Sequence, residues 1–189
     1  MKRRRRPEEM LLEHEAACHE AGHALLGLHF GVQVPSIDIQ HRADGSAGFA
    51  AMAEHPDRRK EGMIKLAGDA ALCASWCNRL TFAQAARGFP FSGGATDFPR
   101  ARRFLRPGER EAAWQEVVTF FQENRRAHSS LTLALYRRRR LSGAQVLRVL
   151  RRAGWGGGSA PLSSGVVGRP VRVQSASHGK SHCQGRGKS

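Results

Sequence analysis

The sequence predicts a mainly α-helical fold with a small β-hairpin or sheet, and three observations carry that expectation. Apolar residues recur at spacings of three and four along most of residues 8–153. Ile37 and Ile39 instead alternate with polar residues ahead of an Asp-Gly pair, after which Gly48–Met52 can return as a second strand. From Gly154 onward the composition shifts to glycine, serine and basic residues with little apolar content. The 189 residues therefore divide into a basic arm (1–7), one domain (8–153) and a disordered tail (154–189). A domain of this size buries enough apolar surface to fold without disulfides.

Residues 8–30 form the first expected helix. Pro7 suits its first position, Glu8 and Glu9 suit its electropositive start, and Gly31 can end it. Leu12, Ala16, His19, His23, Leu26 and Phe30 share one face, which turns both histidines inward. Ile37 and Ile39 then begin a hairpin that turns at Asp44-Gly45 and returns through Gly48–Met52. Helical spacing resumes over residues 57–79 through Met63, Leu66, Ala70, Cys73 and Cys77. Thr81–Thr96 is partly loop, with freedom at Gly93 and Gly94. Asp97 caps a further helix with Pro99 early in it. Glu109–Arg126, Ser129–Arg139 and the stretch LSGAQVLRVLRRAG complete the helical set.

Charge and cysteine usage bound the function. The net charge is +15, concentrated in KRRRRP, in Arg137–Arg140 and in the tail. Such a chain adheres to nucleic acid or anionic membrane at low salt through counterion release. With one tyrosine and no aromatics interleaved among the basic runs, a stacking platform for single strands is not expected. Cys18, Cys73, Cys77 and Cys183 form neither a ladder nor a CxxC pair, which fits a reducing cytoplasm. No apolar run is long enough for a membrane span, and acidic residues and histidines interrupt the N-terminal apolar stretch that a signal peptide needs.

The chemistry centres on HEAGH, His19 to His23. Histidines at i and i+4 stand one turn apart on one helix face, where both rings reach a single metal ion. Zinc suits imidazole, and a catalytic zinc takes three protein ligands. Glu20 then lies beside the metal, placed to take a proton from water and deliver it to a leaving amine. For this composition roughly 0.03 HExxH matches arise by chance. Gly22 inside the helix costs about 1 kcal/mol against alanine, which points to close packing there. The third ligand stays open among His29, His41, His55, Glu54, Asp69 and Asp97, although His29 falls on the wrong side of the helix. Asp97 opens a helix after a glycine-rich loop, so its carboxylate can be held and still reach a metal.

Taken together, ACHEAGHALLGLHFG, the hairpin, IKLAGDAAL and FSGGATDFPRARRFL resemble the peptidase domain of the FtsH-type, AAA-linked zinc metalloproteases. The resemblance spans about Glu8 to Ala153, with a softer match in LALYRRRRLSGAQVLRVLRRA. It implies Zn²⁺ held by His19, His23 and Asp97, with Glu20 as general base and acid. The interval of 74 residues between His23 and Asp97 is close to the family's. It further implies that Gly48, Phe49, Ala50, Ala51 and Met52 form a substrate-binding edge for an extended polypeptide. A separate AAA ATPase and further copies of the chain are the other partners it raises.

Three departures qualify the match. The chain carries no ATPase module: the two GKS tripeptides have Gln174 and His182 where a P-loop needs glycine. Leu72 and Cys73 stand where the family carries an acidic pair, and the region after Phe104 is short. The expected function is thus a zinc metalloendopeptidase acting on unfolded or extended chains. The alternatives are a silent metal-binding relative serving as a regulatory module, and a basic nucleic-acid or membrane-surface protein. Retention of Glu20 argues against the silent relative, because a structural site needs no base.

Overall fold

A helix from Pro7 to His29 (α1) opens the fold, with proline and two glutamates in its first turn. It ends where Gly31 adopts a positive φ of 82°. A computed structural model describes residues 7–39, 48–76, 82–85 and 97–157. The arm through Arg6, His41, the Asp44-Gly45 turn, Cys77, Gly93, Gly94, Cys183 and the tail from residue 158 lie outside the described residues.

After α1 come two strands, β1 (Ser36–Asp38) and β2 (Phe49–Ala51), and a helix α2 (Arg58–Trp76). Two short helices, α3 (Phe82–Ala85) and α4 (Asp97–Ala101), lead through a 3₁₀ turn at Pro107–Glu109 into α5 (Arg110–Glu123). The chain closes with α6 (Arg125–Arg138), β3 (Arg140–Ser142) and α7 (Gly143–Arg152). The fold is mainly helical with one small antiparallel sheet, as the sequence predicts.

The core lies where α1, α2, α5 and α6 meet. Leu25 and Leu26 of α1, Met63 and Leu66 of α2, Trp114 and Phe121 of α5, and Leu131 of α6 are all buried there. Leu12 departs from expectation: with Met10 and Leu11 it is exposed, because among the described residues nothing covers the first turns of α1. The break between α5 and α6 falls at Asn124, earlier than the expected one. There the N–H and Nδ2 of Asn124 both donate to the Phe120 carbonyl and end α5.

The hairpin pairs Ser36 with Ala51 and Asp38 with Phe49. A third strand was not expected. β3 pairs with the other side of β1, Ile37 facing Leu141, which gives the order β2-β1-β3. Arg139 turns the chain from α6 into β3 with a positive φ of 66°, and its guanidinium pairs with Glu13 of α1. So one arginine of the RRRR run is structural, while Arg137, Arg138 and Arg140 face solvent. Ser142 and Gln145 then cap α7 reciprocally.

His128 of α6 ties that helix to α1. Its Nε2–H donates to the Cys18 carbonyl at 2.9 Å, and its ring packs on Phe121. Burial pushes its pKa down to about 4, and His14 adds to the shift, while the Cys18 carbonyl opposes it. Between pH 6.5 and 4 an unfolded chain takes up a proton that the folded one refuses, so stability present above that window is lost as pH falls through it. The loss amounts to about 3 kcal/mol at most. His128→Gln never titrates, so its stability deficit relative to wild type shrinks as pH falls from 6.5 to 4. Denaturant unfolding of both proteins across that range measures the difference, and parallel curves would contradict it.

Candidate metal centre

Helices α1 and α2 run antiparallel and in step, turn against turn. His23 lies against Ile64, His19 against Gly68 and Asp69, and Cys18 within 3.7 Å of Ser75. Gly22 makes this approach possible. A Cβ there would come within 2.7 Å of both the Ala67 carbonyl oxygen and the Ala71 Cβ. The sequence expectation of close packing at Gly22 is met by a backbone that leaves no room for any side chain.

Asp97 reaches the same place from α4. Phe98, its neighbour, is buried and packs on Trp114 and Phe82 with ring centroids 5.4 and 5.7 Å away, which fixes the start of this short helix. Three side-chain atoms then converge. His19 Nε2 lies 2.9 Å from Asp97 Oδ2, His23 Nε2 3.1 Å from the same oxygen, and the two Nε2 atoms 3.0 Å from each other. All three residues are buried.

Three acceptor atoms do not meet this closely without a proton or a metal ion between them. His23 Nδ1 lies 2.7 Å from the Ile64 carbonyl, which can only accept, so Nδ1 carries the ring proton. His23 Nε2 in turn faces a carboxylate oxygen and a second imidazole nitrogen, a cluster of acceptor atoms. A cation resolves the conflict: either a proton on His19 Nε2 or a metal ion. Ligands about 2.0–2.1 Å from a tetrahedral zinc lie about 3.3 Å apart. The observed separations are close to that spacing, and two nitrogens with one oxygen are donors zinc accepts. The residues fit the metal.

Charge follows the same geometry. Burial lowers the pKa of His19, but the Asp97 hydrogen bond and the carboxylates of Glu20, Asp69 and Asp97 outweigh it and raise the group to about 9. Burial raises the Asp97 carboxyl, yet the two histidines overcome it and hold the group well below the usual carboxylate range. Glu20 is pushed up by burial first, with Asp97 and Asp38 adding repulsion and the histidines opposing. A glutamate raised in this way is a stronger proton acceptor, which suits a general base.

No protein-family model matches this chain, and no curated protein matches it. Its chemistry rests on its own atoms.

Of the candidate third ligands, only Asp97 joins the histidines among the described residues. His29 packs against Phe120 and Phe30. His55 accepts from the Asp57 N–H, Glu54 is exposed, and His41 is not among the described residues. Asp69 stands on the far side of His19, 3.6 Å from Nδ1 rather than from Nε2.

The proposed substrate strand lies beside the centre. Gly48 abuts Glu20 so closely that a Cβ would sit 2.7 Å from Oε1, and Gly27 leaves space for the Met52 sulfur. Between them Phe49, Ala50 and Ala51 form β2, whose outer edge has no strand partner among the described residues. Phe49 is exposed. Sequence reasoning missed Ile64, whose carbonyl sets the tautomer of His23. Its only signal is that it lies one turn before Gly68 on the helix that faces α1.

Proposed function

We propose that this chain is a zinc-dependent metalloendopeptidase that hydrolyses peptide bonds in unfolded or extended polypeptides. The convergence of His19 Nε2, His23 Nε2 and Asp97 Oδ2 within about 3 Å, with the His23 tautomer set by Ile64, carries the reading. The HEAGH helix and the spaced aspartate, which resemble the FtsH-type peptidases, support it.

When bound, zinc supplies Lewis acidity that polarises a peptide carbonyl and makes water acidic near neutral pH. An extended substrate adds as a further strand to the edge of β2 that faces no described strand, held by main-chain hydrogen bonds. Glu20 takes a proton from the attacking water while the hydroxyl oxygen bonds to the carbonyl carbon. The C–N bond breaks as Glu20 returns that proton to the leaving nitrogen, giving one new carboxyl and one new amine. Strand addition favours extended backbone, so folded substrates would first have to be unfolded, and a separate AAA ATPase is the partner that the resemblance raises for that step.

A second surface is sequence-independent. Residues 124–157 hold no acidic side chain, and Arg125, Arg126, Arg137, Arg138, Arg148 and Arg152 are exposed. These arginines give the chain an adhesion to nucleic acid or anionic membrane that fades with salt and ignores chelators. Among the described residues no helix is long and apolar enough to cross a membrane.

The test is cleavage of an unfolded, casein-like substrate by the zinc-loaded full chain. Cleavage is expected to stop with a chelator and return with zinc, while a tightly folded substrate stays intact. A chain that binds zinc stoichiometrically yet cuts nothing would favour the silent relative. One that binds no zinc would remove the peptidase reading altogether.

A further inference from the structure

We propose that Asp69 is a positioning residue for His19, its carboxylate accepting the Nδ1 proton so that Nε2 faces the metal. The proposal rests on the metallopeptidase reading. Its support is geometric. His19 Nδ1 is buried and has no hydrogen-bond partner among the described residues. Asp69 Oδ1 lies 3.6 Å from it, and both side chains are nearly out of solvent, 10% and 3% exposed. A buried imidazole N–H left unpaired bears its full desolvation cost, so this approach has a driving force to close.

Gly68, the preceding residue, supplies an independent constraint. A Cβ there would overlap Cε1, Nδ1 and Nε2 of His19, so the ring lies flat on the α2 backbone. With its face held by Gly68 and its outer nitrogen turned to Asp69, the ring has one remaining direction for Nε2. His23 is treated likewise one turn along, where its Nδ1 is anchored by Ile64. Thus a single stretch of α2, residues 64–69, orients both imidazoles. A ligating histidine normally gives its outer N–H to a carboxylate or carbonyl, which fixes the tautomer and raises ligand basicity. The positions where sequence resemblance looks for acidic support, Leu72 and Cys73, are apolar and buried. Asp69, one turn earlier, takes over that task.

The decisive experiment titrates cobalt(II) and zinc into the full chain against a competing chelator, for wild type, Asp69→Asn and Asp69→Ala. Circular dichroism establishes which variants fold. Asp69→Asn is expected to weaken metal binding about 10-fold and Asp69→Ala about 100-fold. Both are also expected to change the cobalt absorption spectrum. In the zinc-loaded wild type, imidazole ¹⁵N NMR should show a slowly exchanging proton on His19 Nδ1, and that proton should exchange much faster in folded Asp69→Ala. Should Asp69→Ala not fold, Asp69→Leu decides in its place, because it fills the space but offers the Nδ1 proton no acceptor. Unchanged affinity and spectrum in a folded variant that lacks an acceptor at residue 69 would overturn the role of Asp69 and leave the peptidase reading intact. Absence of metal binding by wild type would overturn both.

Discussion

Glu20→Gln is expected to reduce cleavage of an unfolded polypeptide about 1,000-fold or more while leaving one zinc per chain. The amide has nearly the shape of the carboxylate, so the pocket beside Gly48 is preserved. It cannot, however, take a proton from water at neutral pH, and positioned acid–base catalysis contributes about 10²–10⁴-fold. His19, His23 and Asp97 do not depend on Glu20 for their mutual geometry, since their contacts run to one another and to α2. The loss should therefore appear in kcat, with KM and metal content little changed. A variant that keeps a tenth of wild-type activity would remove Glu20 from its assigned role. One that loses its zinc would mean that the carboxylate belongs to the metal's own ligand set.

The largest effect on stability is expected at Gly22. Replacing a glycine within a helix ordinarily gains up to about 1 kcal/mol from propensity. At this position the new Cβ would fall 2.7 Å from the Ala67 carbonyl oxygen and the Ala71 Cβ. Neither is the tip of a flexible side chain, so α2 must withdraw from α1. Overpacking of this kind costs about 1–3 kcal/mol, and Gly22→Val lies at the upper end because its branched side chain has no free rotamer. Withdrawal also separates His23 from Ile64 and His19 from Gly68, so metal affinity should fall together with the melting temperature. Gly108→Ala is the control. Nothing lies within 4 Å of its added methyl, and its stability should stay within about 0.5 kcal/mol of wild type. Equal melting temperatures for Gly22→Val and wild type would show that the helices are not held at this contact.

The parts of the site that were legible in the sequence are those with local signatures. The i, i+4 histidines, the glutamate between them and the buried glycine are all set by the period of one helix, so α1 could be read nearly to its ends. The β1–β2 pair was readable because Ile37 and Ile39 alternate with polar neighbours. What escaped depends on contacts between elements. β3 is three residues long, too short for any period, and exists because β1 has a free edge beside the end of α6. Asn124 ends α5 through its own side chain, a role that asparagine fills only where the Phe120 carbonyl is within reach. Asp69 looked like a ligand candidate because carboxylates are ligands. Only the antiparallel register of α1 and α2 reveals that it meets the outer nitrogen of His19.

The pairing of Ile37 with Leu141 spans 104 residues and has a temporal consequence. A growing polypeptide completes the HEAGH motif at His23 early, yet it lacks Asp97 for another 74 residues and lacks β3 until residue 142 has emerged. Contacts this distant form late and slowly, since the closure of long loops must come first. Half-made chains therefore carry the histidines and the base without the carboxylate that unites them or the strand that braces the substrate edge. Hydrolytic competence, on the proposed reading, is withheld during synthesis and arrives only when nearly the whole domain is present.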